Sequence, residues 1–271
     1  MTHLTIASWN VNGLRACGQK GFPAWLETSG VDIAALQEVR ATESQLPADL
    51  RAPPGWTSCF APAVKAGYSG VGLYLRRPLD RWQSGCGEAR FDDEGRLQRA
   101  ELGNLLIVNG YFPNGNGSLL EGGKRSNDRI PFKLDFYRKV FDMVAPDFAA
   151  GRPILVMGDF NTAHTELDLA RPKANVTCSG FTPIERAEFD RWLRAGWIDT
   201  FRYFHPGQAG HYSWWSQRFG VREKNIGWRL DYVLASPGAL PFLRSAFISR
   251  EVLGSDHCPV GVVLDAAVLS A

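Results

Sequence analysis

Residues 154–161 read Ile154-Leu155-Val156-Met157-Gly158-Asp159-Phe160-Asn161. Four apolar residues are too few for a helix and run into a turn signal, which predicts a short buried strand. Its far end offers a carboxylate and an amide, the kind of polar groups that a rigid sheet can hold in place. The same grammar recurs along the chain. Residues 4–9 run into Asn10-Val11-Asn12-Gly13, residues 31–36 into Gln37-Glu38, and residues 105–108 into Asn109-Gly110-Tyr111. Apolar runs at 70–75, 232–235 and 260–264 read as further strands. Each polar end taken alone is an ordinary turn, because Asn, Asp and Gly are turn residues. Several acidic or amide ends in one chain favour a site.

Helical patterns lie between the strands at 23–28, 131–144 and 182–195, the last opening on Thr182-Pro183-Ile184-Glu185. Residues 91–102 read as a hairpin around Asp93-Glu94-Gly95. Strands mixed with helices and hairpins predict a layered mixed α/β domain rather than a regular βαβ alternation. No composition break marks a boundary, so the expectation is one domain over residues 1–271.

The chain has 271 residues, 45% apolar and 21% charged, enough for a sizeable core and too apolar for a disordered chain. No apolar run approaches 18 residues, so no membrane span is expected. The start, MTHLTIASWN, lacks the pattern of a signal peptide and predicts a cytoplasmic protein. Cysteines at 17, 59, 86, 178 and 258 form no CxxC pair, which predicts free thiols. The net charge is only +2, so any phosphate binding must come from local clusters.

Carboxylate and amide oxygens without a Cys/His cluster suit a hard cation such as Mg²⁺. The candidates are Asn10, Glu38, Asp159, Asn161 and Asp256. His257 follows Asp256, but neighbours on an extended chain point to opposite sides, so its carboxylate must come from elsewhere. Asp231 is a candidate, and a His–Asp pair beside a cation site fits metal-assisted phosphodiester hydrolysis. The plainer readings are a satisfied histidine at 257 and an ion pair of Asp231 with Arg229 or Lys224. There is no Gly-x-Ser-x-Gly elbow, no complete dinucleotide fingerprint and no Gly-Lys-Ser/Thr loop.

Five motifs carry a resemblance: Ser8-Trp9-Asn10-Val11-Asn12-Gly13-Leu14-Arg15-Ala16, Leu36-Gln37-Glu38, Asn109-Gly110-Tyr111-Phe112-Pro113-Asn114, Gly158-Asp159-Phe160-Asn161-Thr162-Ala163-His164 and Gly254-Ser255-Asp256-His257-Cys258-Pro259. Together they resemble the exonuclease III family of abasic-site (AP) endonucleases, within a superfamily that also holds pancreatic-type DNases, inositol phosphatases and sphingomyelinases. The motifs run from residue 4 to about 264. Residues 67–72, 168–183 and 224–232 resemble the AP-endonuclease branch specifically.

The resemblance implies a DNase-like fold: a four-layer α/β sandwich, two mixed β-sheets packed face to face with helices outside. It implies Mg²⁺, with Mn²⁺ as a substitute, held among Asn10, Glu38, Asp159, Asn161, Asp256 and His257. Asp159 resembles the residue that orients or deprotonates the attacking water, Asn161 the transition-state stabiliser, and Tyr111 the tyrosine near the scissile phosphate. His257 resembles the phosphate-contacting histidine oriented by Asp231. DNA contacts are implied at Arg15, Tyr68, Asn114, Lys173, Asn175 and Arg218. Trp214, Trp228 and Leu230 resemble the wall of a pocket for a baseless sugar; the plainer reading of both tryptophans is core packing.

The implied activity is cleavage 5′ to abasic sites in double-stranded DNA, leaving a 3′-hydroxyl. Processing of blocked 3′ ends (3′-phosphodiesterase, 3′-phosphatase) and a 3′→5′ exonuclease accompany it in the family. A monomer near the nucleoid is expected, with no membrane partner. A general nuclease or other phosphodiesterase of the superfamily is the alternative enzyme, and an inactive DNA-binding member the non-enzyme one. Three features depart from the family pattern: Asn12 where animal-type members have Asp, Cys178 in place of a phosphate-facing Asn, and a long 112–130 loop with Lys124, Arg125 and Arg129. The loop reads equally as solvated or as a DNA contact. Arg218 likewise reads as a minor-groove contact or as simply exposed.

Overall fold

The computed structural model describes residues 2–77, 79–123, 125–218 and 220–270. Lys124 of the long loop lies outside the described residues, as do both terminal residues of the expected 1–271 domain. In chain order the strands are β1 (His3–Asn10), β2 (Ile33–Gln37), β3 (Thr57–Ala61), β4 (Val71–Leu75), β5 (Arg81–Ser84), β6 (Leu97–Leu102), β7 (Leu105–Tyr111), β8 (Ile154–Asp159), β9 (Ile198–Asp199), β10 (Asp231–Ala235), β11 (Leu243–Ile248) and β12 (Val260–Asp265). They form two six-stranded sheets, ordered β11-β12-β1-β2-β4-β3 and β5-β6-β7-β8-β10-β9. Both are mixed: β1–β2 and β7–β8 are parallel, and the remaining ladders are antiparallel.

The sheets pack face to face over one apolar layer. Ile6, Ile33 and Leu73 of the first sheet meet Ile107, Leu155 and Val233 of the second. The outer faces are covered by helices. Against the second sheet the helices Ile130–Ala149 and Pro183–Arg194 bury Phe136, Tyr137, Phe189 and Trp192 over Val108, Val156 and Phe160. Phe112 stacks on Phe160 at 4.1 Å between ring centroids, which locks the ends of β7 and β8 together. The four-layer sandwich is therefore as expected.

Two sequence readings are corrected. The hairpin is not around residues 93–95. A short helix, Ala89–Asp92, leads into that turn, and the hairpin joins β6 to β7 two residues after Leu102. The cause is Asp92, whose carboxylate accepts the backbone N–H groups of Cys86 (2.7 Å) and Gly87 (2.9 Å), while Phe91 is buried under the helix Ile130–Ala149. That helix also outruns the expected 131–144. It runs through Pro146, which stands in its last turn.

Gly158 shows why the chain needs no side chain just before Asp159. It lies opposite Gly110 in the parallel β7–β8 ladder, with φ at 144°, and a Cβ there would stand 1.8 Å from the Gly110 carbonyl oxygen. The two glycines let Tyr111 and Asp159 emerge side by side at the same sheet end.

Candidate active site

The polar strand ends converge. Asn10 ends β1, Glu38 follows β2, Tyr111 ends β7, Asp159 ends β8 and Asp231 begins β10. Asn10 bridges the sheets: its Nδ2 donates to Glu38 Oε1 and to Asp159 Oδ2, both at 2.9 Å. Its own Oδ1 accepts the backbone N–H of Asn12 at 3.0 Å. Tyr111 Oη donates to Glu38 Oε1 at 2.8 Å, and Arg40 pairs with Oε2 of the same carboxylate. Asn12, Glu38, Arg40 and Asn161 all have φ near +50°. That left-handed backbone is uncommon for residues with side chains, and it gathers where side chains must be aimed.

His257 stands where the alternation argument put it. Asp256 does not bond its ring; instead His257 Nδ1 lies 2.8 Å from Asp231 Oδ2, both groups buried. His257 Nε2 is 3.8 Å from Asp159 Oδ2. Arg229, the alternative partner of Asp231, is bound to Asp168 and Asp199. Burial raises the Asp159 carboxyl to about 7, with the Asp231 charge adding and His257 and Asn10 opposing. For His257 burial works the other way, and the charges of Asp231 and Asp159 overcome it, so the imidazole holds its proton at neutral pH. Burial, then the neighbouring Glu38 charge, keeps the Tyr111 hydroxyl protonated.

These groups floor one cavity of about 640 Å³. Glu38, Tyr111, Asn114, Asp159, Asn161, Asn175, Trp214, Trp228, Leu230, Asp256 and His257 line it, and so do Asn12, Arg125 and Cys178 from the three departures. Asn10 and Asp231 lie beneath it and act on its lining. Trp228 and Leu230 both face the cavity, and the strand proper begins one residue later, at Asp231. Trp214 stands edge-on to Trp228 and donates Nε1 to Asp256 Oδ2 at 3.1 Å, so the aromatic wall is fastened to the acidic floor.

Four expected DNA contacts are not in the lining: Arg15, Lys173 and Arg218 are exposed outside it, and Tyr68 sits in a cluster with Glu94, Arg96 and Arg129. Arg96 ties that cluster to the floor, donating to the Tyr111 carbonyl at 2.9 Å. Sequence reasoning missed Arg40 and Arg171 in the lining. The signal for Arg40 was a cation two residues beyond the acid at the end of β2.

Two groupings could hold a cation. Asp159, Asp231 and His257 bring one ligand atom each within 4.8 Å of one another. There Nδ1 of His257 and Oδ2 of Asp231 are engaged with each other, while Asp231 Oδ1 is buried without a hydrogen-bond partner. Glu38 and Asp256 also present carboxylates to the cavity, where they already accept from Asn10, Tyr111 and Arg40 and from Asn12 and Trp214. An oxygen set of this kind fits a hard divalent cation.

The chain is similar to known proteins over nearly all its length. The model of the endonuclease/exonuclease/phosphatase family matches residues 7–257. A DNA-(apurinic or apyrimidinic site) endonuclease of Dictyostelium discoideum is 37% identical over 97% of this chain and 71% of its own length. An exodeoxyribonuclease of Bacillus subtilis is 36% identical over 97% of this chain and 100% of its own length. Among solved structures, an AP endonuclease from Leishmania major superposes with a TM-score of 0.86 at 28% identity, covering 97% of this chain and 88% of that one.

Proposed function

Since the chain belongs to the endonuclease/exonuclease/phosphatase family, in the branch of the AP endonucleases and exodeoxyribonucleases, it is a DNA phosphodiester hydrolase, and we propose that it is an Mg²⁺-dependent AP endonuclease of base excision repair. It cuts 5′ to an abasic site and leaves a 3′-hydroxyl, and the same centre trims blocked 3′ ends and degrades 3′→5′. The reading takes residues 1–271 as one domain acting as a cytoplasmic, nucleoid-associated monomer. No helix among the described residues is long and apolar enough to cross a membrane.

One observation carries the reading: the carboxylate floor and the Trp214–Trp228–Leu230 wall line the same cavity. A floor alone suits any phosphodiester. The wall adds a pocket that takes an extrahelical sugar without a base and refuses one that carries it. Loss of the base also makes extrusion from the stack cheaper.

Each residue then has a task. Glu38 and Asp256 would hold Mg²⁺, with Asn10, Asp159, Asn161 and His257 around them; the ion, when bound, supplies charge neutralisation at the phosphate. Asp159, its carboxyl raised by burial, orients the attacking water and takes its proton. His257, protonated and held by Asp231, donates from Nε2 to a non-bridging phosphate oxygen. Asn161, a neutral amide, donates to the oxygen on which charge develops, which a carboxylate cannot do. Tyr111 holds Glu38 from the opposite sheet and offers its hydroxyl near the phosphate. Asn114 and Asn175 on the cavity rim contact backbone phosphates, as do Arg15, Tyr68, Lys173 and Arg218 further out along the duplex.

The test compares abasic and intact duplex oligonucleotides, with and without EDTA. Incision on the 5′ side of the abasic site, abolished by EDTA, is expected. Trp228→Ala should narrow the ratio of abasic to intact cleavage, because steric exclusion is relaxed. Equal cleavage of both wild-type substrates would make the protein a general nuclease. An equal fall on both substrates in Trp228→Ala would return Trp228 to core packing.

A further inference from the structure

Behind Asn161 lies a buried ion pair that none of the roles above uses. Lys133, in the first turn of the helix Ile130–Ala149, is fully buried, and Glu185, in the first turn of the helix Pro183–Arg194, is 1% exposed. Lys133 Nζ donates to Glu185 Oε1 and to the backbone carbonyl of Asn161, both at 2.6 Å. Glu185 gathers the other side of the cavity. Its carboxylate accepts the Gly180 N–H (2.9 and 2.8 Å), the Thr182 N–H (3.2 Å), Thr182 Oγ1 (2.6 Å) and Ser179 Oγ (3.2 Å). Ser179 and Gly180 line the cavity opposite its acids, and Gly180 is bonded in turn to Ala163, whose N–H reaches its carbonyl at 2.7 Å.

Such a pair is a poor device for stability alone. Desolvating two ions roughly cancels their attraction, and apolar residues of the same size would serve the core as well. What apolar residues could not do is hold a carbonyl and four further donors in one geometry. Asn161 needs such a hold. Its φ is +50°, a strained backbone for a side-chain-bearing residue, and its side chain is aimed by three contacts: from Asn114 Nδ2 at 3.0 Å, to the Phe112 carbonyl at 2.9 Å and to Asp159 Oδ2 at 3.4 Å.

We propose that Lys133 and Glu185 are positioning residues for phosphodiester hydrolysis: through one buried ion pair they fix the backbone of Asn161 in its left-handed conformation and lock the Ser179–Gly180 wall to it. The inference rests on the reading of Asn161 as the amide that stabilises the transition state. The pair touches no substrate, and its effect on turnover runs through Asn161, to which the wall is tied.

A double-mutant cycle tests this. Lys133→Met strands a buried carboxylate and risks unfolding, so the informative variant is Lys133→Met/Glu185→Gln, which removes both charges, keeps the approximate shape and takes the Nζ donor away from the Asn161 carbonyl. It is made in the wild-type and Asn161→Ala backgrounds, and kcat, KM and Tm are measured for each. The cycle is run on an abasic duplex and on an intact recessed 3′ end, so that abasic selectivity and positioning are read separately. In the wild-type background kcat should fall about 10- to 100-fold, the scale of a misplaced group, with KM little changed. In the Asn161→Ala background the same double change should lower kcat less than about 3-fold, because residues acting as one unit are not additive. An equal fall in both backgrounds, an unchanged kcat, or a loss that only tracks the unfolded fraction would overturn the proposal. An Asn161→Ala variant with full activity would instead remove the reading of Asn161 itself.

Discussion

Asp231 and His257 stand 26 residues apart, and the ring nitrogen nearest the chain, Nδ1, meets the Asp231 carboxylate at 2.8 Å. The pairing was legible because alternation along an extended segment excludes the neighbouring Asp256, which leaves a carboxylate from another strand. Its consequence is electrostatic. Burial alone would lower the His257 pKa, yet Asp231, and after it Asp159, hold it up at about 10. Asp231→Asn keeps the shape and removes the larger of those charges. The imidazole then loses its proton at a lower pH, so the alkaline limb of the kcat–pH profile moves down. We expect a loss of about 10- to 100-fold at pH 8 that recovers towards pH 6, against a pH-independent loss of about 10²- to 10⁴-fold in His257→Ala. A profile of Asp231→Asn that overlays the wild type, beside a dead His257→Ala, would break the pair.

The elements that sequence reading found and those it missed differ in position within the sheets. Of the eight interior strands, β1, β2, β4, β7, β8, β10 and β12 showed a mostly apolar run, and β6 (Leu97–Leu102), with Gln98, Arg99 and Glu101, was read only as one arm of the misplaced hairpin. The strands it missed, β3, β5, β9 and β11, are the four sheet edges. An edge strand has one neighbour and a wetter face, so its sequence carries charge and polarity instead of a run; Arg81-Trp82-Gln83-Ser84 of β5 is the plainest case. The site was legible for a related reason, since its residues sit at the ends of interior strands. Long-range polar ties were not, because nothing local announces them. Asp168 from the turn Glu166–Asp168, Asp199 at the end of β9 and Arg229 just before β10 form one buried network, joined by Arg202. Burial would raise the Asp168 carboxyl, but the Arg229 and Arg202 guanidiniums outweigh it and hold it well below the usual carboxylate range. A depressed folded-state value contributes stability above the unfolded pKa of about 3.9, and that contribution is lost as pH falls through the lower folded value. Asp168→Asn should therefore cost about 3–5 kcal/mol at pH 7, since it leaves a buried guanidinium short of a partner, and should flatten the loss of stability between pH 4 and acid. Urea unfolding at pH 7 and pH 3 measures both. A penalty under about 1 kcal/mol at pH 7 would mean that Asp199 alone satisfies Arg229.

For the whole molecule the question is how a chain with 30 Lys and Arg against 28 Asp and Glu holds a polyanion. The bulk charge of +2 gives little steering, and the cavity floor is acidic, with Glu38, Asp159 and Asp256 facing a phosphate backbone. Without a cation the floor repels DNA; binding then depends on where the arginines lie. Three line the same cavity as the acids: Arg40, which pairs with Glu38, Arg125 in the 112–130 loop and Arg171 before the helix Pro172–Asn175. The loop is held to the segment before Cys178 by Asn127 Nδ2, which donates to the Thr177 carbonyl at 2.9 Å, and within itself by Arg125 Nη1, which donates to the Gly117 carbonyl at 3.2 Å. A DNA-contact loop and a solvated one differ in what Arg125 does when DNA binds. If each guanidinium meets one phosphate, each releases about one counterion on binding, so Arg125→Ala and Arg171→Ala should each lower the slope of log Kd against log salt by about 1. The measurement uses abasic and intact duplexes from 50 to 200 mM salt, with EDTA present to prevent cleavage. Phosphates carry no base information, so the loss should be the same for both duplexes and leave selectivity to the Trp214–Trp228–Leu230 wall. An unchanged slope in Arg125→Ala would make the loop a solvated surface, and a loss confined to the abasic duplex would move Arg171 from the backbone to the lesion.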